Sequence, residues 1–416
     1  MSKPALVFLC QRIPYPPIKG ERITSINLLR HLVRDYRVFL GTFIDDDADT
    51  AGIATLRAMV EDLCVARIRK PWAFIRAIPR WFMGDPVSYA LFRSRRLDRW
   101  LERIDAMDPP VAIVTHSSNV STYAVDKFRR APTTEPSRIL HFADVDSEKF
   151  LAYAHDATGL KQWLFRSEAA RVRREERRLA AGADFVAFVS DEEADLFRSI
   201  LPTGYGDRVV TLPNGVDTEM FSPDRFPSSA TNTMEADFVF TGAMDYPPNV
   251  EAVKWFAREV FPHVRAAVPG ARFVVVGSRP TSDVRRLAAD AITVTGRVES
   301  VAPYLARARV AVAPLRLARG VQNKVLEAMA MAKPVVVSPG ALTGIGASSG
   351  EHLVCADSAN DWVDACVDLA TNAERAHRLG QNARRLMVER YSWDAQFARL
   401  DRLLEIAHRR RLHVAE

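Results

Sequence analysis

Short runs of consecutive apolar residues recur along the chain, each the length of a strand, and each gives way to a polar turn and then to residues of helical period. In the first half the runs are Ala5–Leu9, Arg37–Phe43, Val111–Thr115, Arg138–Phe142 and Asp184–Val189. In the second half they are Phe238–Thr241, Arg272–Val276, Ile292–Thr295, Val310–Ala313, Pro334–Ser338 and Leu353–Cys355. An unbroken apolar run, as opposed to an alternating one, predicts a strand buried on both faces, which is the signature of a parallel sheet with helices on either side. The pattern therefore predicts an α/β fold. Helical periods between the runs include a long charged stretch from Lys161 to Leu179, whose charges read as a solvated face, and a last helix beginning near Trp393 with Phe397, Leu400, Leu403 and Leu404 on one side.

The stretch Arg309 to Ser338 shows how such a unit can carry chemistry. A strand from Val310 leads into a polar loop and then into a helix over Asn323–Met331, which puts Lys324 and Glu327 on one face and Val325, Leu326 and Met329 on the other. Ligands of open parallel sheets bind beyond the carboxyl ends of the strands. The loop Arg316 to Lys324 lies there, and the first amides of the helix have no partner within it, so Arg316, Arg319 and Lys324 suit a phosphate and Glu327 suits a sugar diol. The residues alone equally allow a surface ion pair between Lys324 and Glu327.

At 416 residues the chain suits two domains. The polar run Ser222–Thr233 is the best linker on composition, giving a first domain over 1–217, a linker over 218–235 and a second domain over 236–391. No apolar run is long enough to span a bilayer, and four cysteines without paired spacing point to reduced thiols and no structural zinc. The net charge of +6 is too small to argue for nucleic acid. The cluster Asp45, Asp46, Asp47 and Asp49 lacks the spacing of a calcium loop and reads as a solvated turn. No G-x-G-x-x-G follows the first strand of the second domain, which counts against a nicotinamide dehydrogenase.

The first half contributes further candidates. Gly20, after the proline-rich turn that follows the first strand, permits close approach of backbone to a ligand. His116 stands at the carboxyl end of its strand, and Asp144 and Asp146 follow the next, where they suit an acceptor or a helix cap. Between Ala66 and Ile104 ten Lys or Arg face three acids, interleaved with Trp72, Phe74, Trp81 and Phe82. That mixture suits an anionic membrane surface, and also a core helix with a basic outer face or a surface against the other domain.

The residues 320–338, GVQNKVLEAMAMAKPVVVS, resemble the donor-site signature of retaining GT-B glycosyltransferases of the glycogen-synthase-like type, family 4. NGVDTEMFSP at 214–223 is similar to the string that marks the crossing between the two domains of that family. The resemblance implies a GT-B fold, two Rossmann-like domains facing each other across a donor and acceptor cleft, with residues 392–416 crossing back onto the first. It implies an enzyme that moves a sugar from a nucleotide-diphosphate sugar with retention. Glu327 then holds the ribose, Gly20, Gly242, Gly320, Val321, Gln322 and Asn323 belong to donor loops, Arg297 and Val298 of VTGRV meet the nucleobase, and His116 lies near the donor sugar. Two departures stand out: Arg319 occupies the place of the family's first glutamate, and Ala243 and Pro248 replace its diphosphate clamp. Lys324, Arg316 and Arg319 are the cations left to take over that clamp, and His116, Lys324 and Arg319 are the catalytic candidates. FTGAMDYPPN, VTGRV and RGVQNKVLEAMAMAKPVV together resemble the sugar transferases associated with exosortase-type exopolysaccharide systems. That implies a UDP- or GDP-linked sugar as co-substrate, a lipid-linked or saccharide acceptor, and neither cofactor nor metal; with the residues of 66–104 it gives the expectation of a cytoplasmic protein that touches the inner membrane through that segment. A non-catalytic nucleotide-sugar-binding relic and a GT-B phosphorylase or epimerase are the competing expectations.

Overall fold

The computed structural model describes residues 3–17, 20–68, 79–128, 135–226, 236–316 and 321–413. The chain divides into two compact units, Met1–Pro213 with Phe397–Glu416, and Asn214–Gln396.

The first unit is built on a parallel sheet of strands β1 (Ala5–Cys10), β2 (Arg37–Ile44), β3 (Asp62–Arg67), β4 (Ala112–His116), β5 (Ser137–Ala143), β6 (Phe185–Phe188) and β7 (Val209–Thr211), ordered β3-β2-β1-β4-β5-β6-β7. The chain winds outward from β1 to β3, then returns to the other side of β1 with β4. All six residues of β1 are buried, as a central strand covered on both faces requires. Five helices of this unit bear on the site or on the surface described below: α1 (Gly20–Asp35), α2 (Arg95–Met107), α3 (Asp146–His155), α4 (Gly159–Ala181) and the terminal helix Trp393–His413. Helix α2 begins at Ser94, whose hydroxyl accepts from the Leu97 amide, and it buries Leu97, Trp100, Leu101 and Ile104 at helical spacing. In the terminal helix Phe397, Leu400, Leu404 and Ala407 are buried, and Asp401 lies 2.8 Å from His31 Nε2.

The second unit holds strands β8 (Ala236–Thr241), β9 (Phe273–Val276), β10 (Ile292–Val294), β11 (Ala308–Ala313), β12 (Val335–Val337) and β13 (Val354–Cys355). They form one parallel sheet in the order β10-β9-β8-β11-β12-β13, again reversing direction beside its first strand. Its helices α5 (Pro247–Trp255) and α6 (Asn323–Ala330) follow β8 and β11. Helix α6 buries Val325, Leu326, Ala328, Met329 and Ala330, each large side chain contributing on the order of 1.5–3 kcal/mol.

Several sequence expectations are corrected. Strands β3 and β7 carry no long apolar run: β3 begins at Asp62, which accepts from Trp100 Nε1 at 2.9 Å, and β7 is only three residues long. The acidic turn is not wholly solvated, because Asp49 is buried and pairs with the buried Arg22 at 2.8 Å. Nor are the charges of α4 all solvated. Glu168 is buried and accepts from the Val87 and Ser88 amides, and Glu176 is buried and accepts from the Ser147 amide. In the basic segment 66–104, Arg93 pairs with Asp126, Arg103 with Asp62, Arg80 with Asp85 and Arg67 with Asp47, and Trp100 packs in the core. Its stretch 69–78, including Trp72 and Phe74, lies outside the described residues.

Candidate functional site

Each unit gathers chemically useful side chains where its sheet reverses direction, at the carboxyl ends of the two strands that flank the reversal. That is the place where open α/β sheets bind ligands.

In the first unit those strands are β1 and β4, paired with Cys10 opposite His116. Beyond their ends lies a cavity of about 410 Å³, lined among others by Gln11, Arg12, Glu21, His116, Ser117, Asn119, Asp144, Asp146, Lys149 and Tyr153. The structure thus brings His116 together with Asp144 and Asp146, as well as with Arg12 and Lys149. His116 is buried, and its Nδ1 lies 2.7 Å from Nδ1 of His141 on β5. The rings are nearly coplanar, with an interplanar angle of 15° and centroids 4.9 Å apart, so they meet edge to edge. One Nδ1 must carry the proton and the other accept it, so the two rings hold complementary tautomers. Burial, and for His116 the neighbouring imidazole, pushes His116 down to about 3, and burial pushes His141 down to about 4. Both are therefore neutral near pH 7, and His116 offers a hydrogen bond, not a charge.

Asp146 accepts from Ser118 Oγ at 2.5 Å, and its carboxyl is raised by burial. Lys149 Nζ stands 3.7 Å from Asp146 and 3.8 Å from Asp144. The two carboxylates of the D-x-D pair already share a cation, and α3 takes no side-chain cap from either. Two residues at this wall hold left-handed backbone without being glycine, Ser117 (φ 104°) and Ala143 (φ 71°). Such conformations cost on the order of 1–3 kcal/mol and cluster at working sites. The lining of carboxylates, amides and hydroxyls beside aromatic rings fits a polyol.

In the second unit the flanking strands are β8 and β11. Lys324, at the start of α6, donates to Asn249 Oδ1 on α5, and its Nζ stands 4.3 Å from the centre of the Phe240 ring. Asn249 Nδ2 donates in turn to the Ala243 carbonyl at 2.9 Å. Gly242 closes the floor: a Cβ there would come within 2.7 Å of Asn249 Nδ2 and 3.1 Å of Lys324 Nζ, so only glycine lets the three groups meet. Gln322 is the N-cap of α6 and its side chain makes no capping bond, which leaves the first amides of the helix to an anion. Burial drives Lys324 down to about 7 against the pull of Glu327, and drives Glu327 up to about 7 against the pull of Lys324. The two are thus neither an exposed ion pair nor a fully charged one.

The other candidates are spread more widely. Arg316 is exposed and its guanidinium lies 5.0 Å from the centre of the Trp255 ring, at the far end of α5 from Asn249. Arg297 is exposed after β10, and Val298 packs partly on the core. Val321 and Asn323 flank Gln322. Gly20 opens α1. Arg319 and Gly320 lie outside the described residues. Sequence reasoning missed His141, Asn249 and Lys149, and also Arg279, which is held 3.0 Å from Asp245 just beyond the end of β8. For Asn249 a signal was present: it lies in the first turn of a helix opened by two prolines, directly after a strand and a glycine.

Comparison with known proteins bears on the fold and on the second unit. Residues 235–372 match the family described as glycosyl transferases group 1, and Lys324, Asn249, Gly242 and Glu327 all lie within that match. Anabaena HepE in complex with UDP is similar over 96% of this chain and 99% of its own, at 13% identity and a TM-score of 0.65. Sucrose-phosphate synthase from Thermosynechococcus elongatus is similar over 100% of both chains, at 16% identity and a TM-score of 0.63. The fold is GT-B. Among curated proteins, the GDP-mannose-dependent alpha-(1-6)-phosphatidylinositol monomannoside mannosyltransferase of Mycobacterium tuberculosis is 28% identical over 248 residues. That match takes in 54% of this chain and 62% of the relative, so the chain spans about three fifths of the length of the curated relatives it matches.

Proposed function

We propose that the protein is a glycosyltransferase of the retaining, family 4 type. Its co-substrate is a UDP- or GDP-linked sugar, held in the second unit with the diphosphate at the start of α6 and on Lys324. The observation that carries this reading is the cluster of Lys324, Asn249 and Gly242 at the reversal of the second sheet, beside an uncapped helix start and inside the stretch that matches group 1 glycosyl transferases. Lys324 stabilises negative charge growing on the leaving diphosphate, and Glu327 accepts from the ribose hydroxyls. Ala243 stands in the loop where a cation of the family's clamp is expected, and Lys324, turned toward that loop through Asn249, supplies the charge from the start of α6. No metal enters the scheme.

The acceptor hydroxyl enters the cavity of the first unit, where His116, Asp144 and Asp146 hydrogen-bond it. The acceptor is a saccharide carried on a lipid, an intermediate of exopolysaccharide assembly. Support comes from the polyol-binding chemistry of the cavity and from the curated relative, whose name specifies a phosphatidylinositol mannoside. The test is to incubate the protein with UDP- and GDP-sugars, with and without a polyprenyl-diphosphate sugar, and to measure released nucleotide and the anomeric configuration of the product. Transfer from one donor, unaffected by EDTA and lost in Lys324→Ala, is the expected result. Nucleotide binding without turnover would identify a non-catalytic binding protein instead, and binding abolished by chelation and restored by manganese would refute the metal-free scheme.

A further inference from the structure

The first unit also presents a surface that glycosyl transfer does not use. Helix α4 opens with Leu160, Trp163 and Leu164, one turn apart on one side, and all three are exposed, Leu160 at 72% and Trp163 at 54%. Against them stand Trp81, with its ring centre 6.1 Å from that of Trp163, and Phe82, 77% exposed with its ring centre 5.2 Å from that of Trp81. These side chains come from two elements far apart in sequence, so the patch is a product of the fold. Single exposed apolar residues are ordinary, whereas a contiguous group of large ones marks an interaction site.

The charges around the patch are cationic on balance, since the acids Asp85 and Glu148 are already paired with Arg80 and Arg173. Between Gly159 and Arg174 the chain has five cations and one acid. The acid, Glu168, is buried with both oxygens occupied by the Val87 and Ser88 amides and the Ser88 hydroxyl, so its carboxylate is turned away from the surface. Lys161 and Arg166 are exposed beside the apolar turn, and Arg171 lies 4.4 Å from the centre of the Trp81 ring. Exposed tryptophan and leucine within a ring of lysine and arginine match the two layers of an anionic bilayer surface, whose headgroup region accepts aromatic rings and whose phosphates accept cations. A protein partner of matching shape would need acidic groups ringing an apolar centre; the bilayer offers that pattern at every point.

We infer that the first turns of α4, together with Trp81 and Phe82, dock the protein on an anionic lipid bilayer. The patch adjoins the cavity described above: Phe165, next to Leu164, lies with its ring centre 5.8 Å from Tyr153 and 6.4 Å from Phe150, both of which line the cavity. Docking there holds the cavity mouth near the lipid surface. The inference stands whether or not the acceptor is a lipid.

The experiment is sedimentation of the full chain with vesicles of phosphatidylglycerol and phosphatidylcholine, compared with phosphatidylcholine alone, at low and high salt. Binding is expected only with the anionic lipid, and it weakens as salt shortens the screening length. Lys161→Ala weakens it about fivefold, the worth of one cation near such a surface. The double variant Trp163→Ser/Leu164→Ser, and separately Phe82→Ser on the other element, weaken it at least about tenfold while UDP and GDP binding stay unchanged. Wild-type protein that ignores anionic vesicles at low salt overturns the inference, as do variants that bind like wild type. A dimer in solution that Trp163→Ser/Leu164→Ser converts to monomer overturns it too, by showing that a second copy covers the face.

Discussion

Lys324 and Glu327 each stand near pH 7, from opposite directions, and if they hold the donor as proposed, donor binding is proton-linked with a change of sign. In the free protein Lys324 is half-charged at about pH 7 and neutral above it, and Glu327 is half-ionised at about pH 7 and protonated below it. A diphosphate at the start of α6 requires the ammonium, and a ribose diol on Glu327 requires the carboxylate. Below pH 7 binding must therefore release a proton from Glu327, and above pH 7 it must take one up on Lys324. At pH 7 each group is half in its binding form; one pH unit away the proton exchanged approaches one and the doubly ionised fraction is about threefold smaller, a cost of about 0.7 kcal/mol. Affinity for a UDP- or GDP-sugar is thus greatest near pH 7, falls about threefold by pH 6 and by pH 8, and approaches a tenfold loss per further pH unit beyond. Because the two groups are coupled, the limbs belong to the pair, and substitution separates them. Glu327→Gln removes the release limb and also the attraction that keeps Lys324 charged, so its uptake limb moves to lower pH. Lys324→Met removes the uptake limb and weakens binding throughout. Isothermal titration calorimetry in buffers of different ionisation enthalpy reads the proton number directly, and a nucleotide sugar, whose diphosphate has no ionisation in this range, avoids interference. A proton number that stays near zero from pH 6 to pH 8, or limbs that survive in both variants, would refute the assignment of these two residues to the donor.

Three further outcomes follow from the buried polar groups. Asn249→Ala removes both the acceptor for Lys324 and the donor to the Ala243 carbonyl, so it lowers stability by about 1–3 kcal/mol in urea titrations and weakens nucleotide binding, while circular dichroism keeps the wild-type signature. His116 and His141 are depressed in the folded protein, so between about pH 6.5 and 4 the unfolded chain binds more protons and stability falls as pH falls; His141→Phe should reduce that slope by about 1.4 kcal/mol per pH unit, read from urea midpoints across the range. Glu176 is raised to about 8 by burial, so the folded protein keeps a proton that the unfolded chain loses near pH 4.5 and stability drops as pH rises between those values; Glu176→Gln should match wild type near pH 4.5 and exceed it by up to about 4 kcal/mol at pH 8.

The sequence was most legible where one local pattern carried the structure. All eleven apolar runs became strands, nine of them inside a sheet, where burial on both faces leaves little room for polar residues, and the helix over Asn323–Ala330 was marked by a polar loop before it and an apolar face along it. The edge strands of the first sheet, β3 and β7, were harder to see. Strand β3 starts with an aspartate that bonds Trp100, thirty-eight residues on, and no local period announces that contact. Charge was misread for the same reason: along α4 the residues Glu168 and Glu176 look like neighbouring arginines, and only the approach of Val87, Ser88 and Ser147 shows that they are buried acceptors. In the candidate sites, individual members such as His116, Asp146 and Lys324 could be named from their places after strands. Their partners could not. His141 meets His116 from the adjacent strand, twenty-five residues away, and Asn249 meets Lys324 from a helix seventy-five residues earlier. A side chain's position after a strand is a local property, whereas its protonation depends on what the fold packs around it. Lys324 could be read as a cation near a phosphate; that it stands at about 7, beside Phe240 and with Asn249 as its acceptor, follows only from the packing, and the proposed pH dependence of donor binding rests on that property.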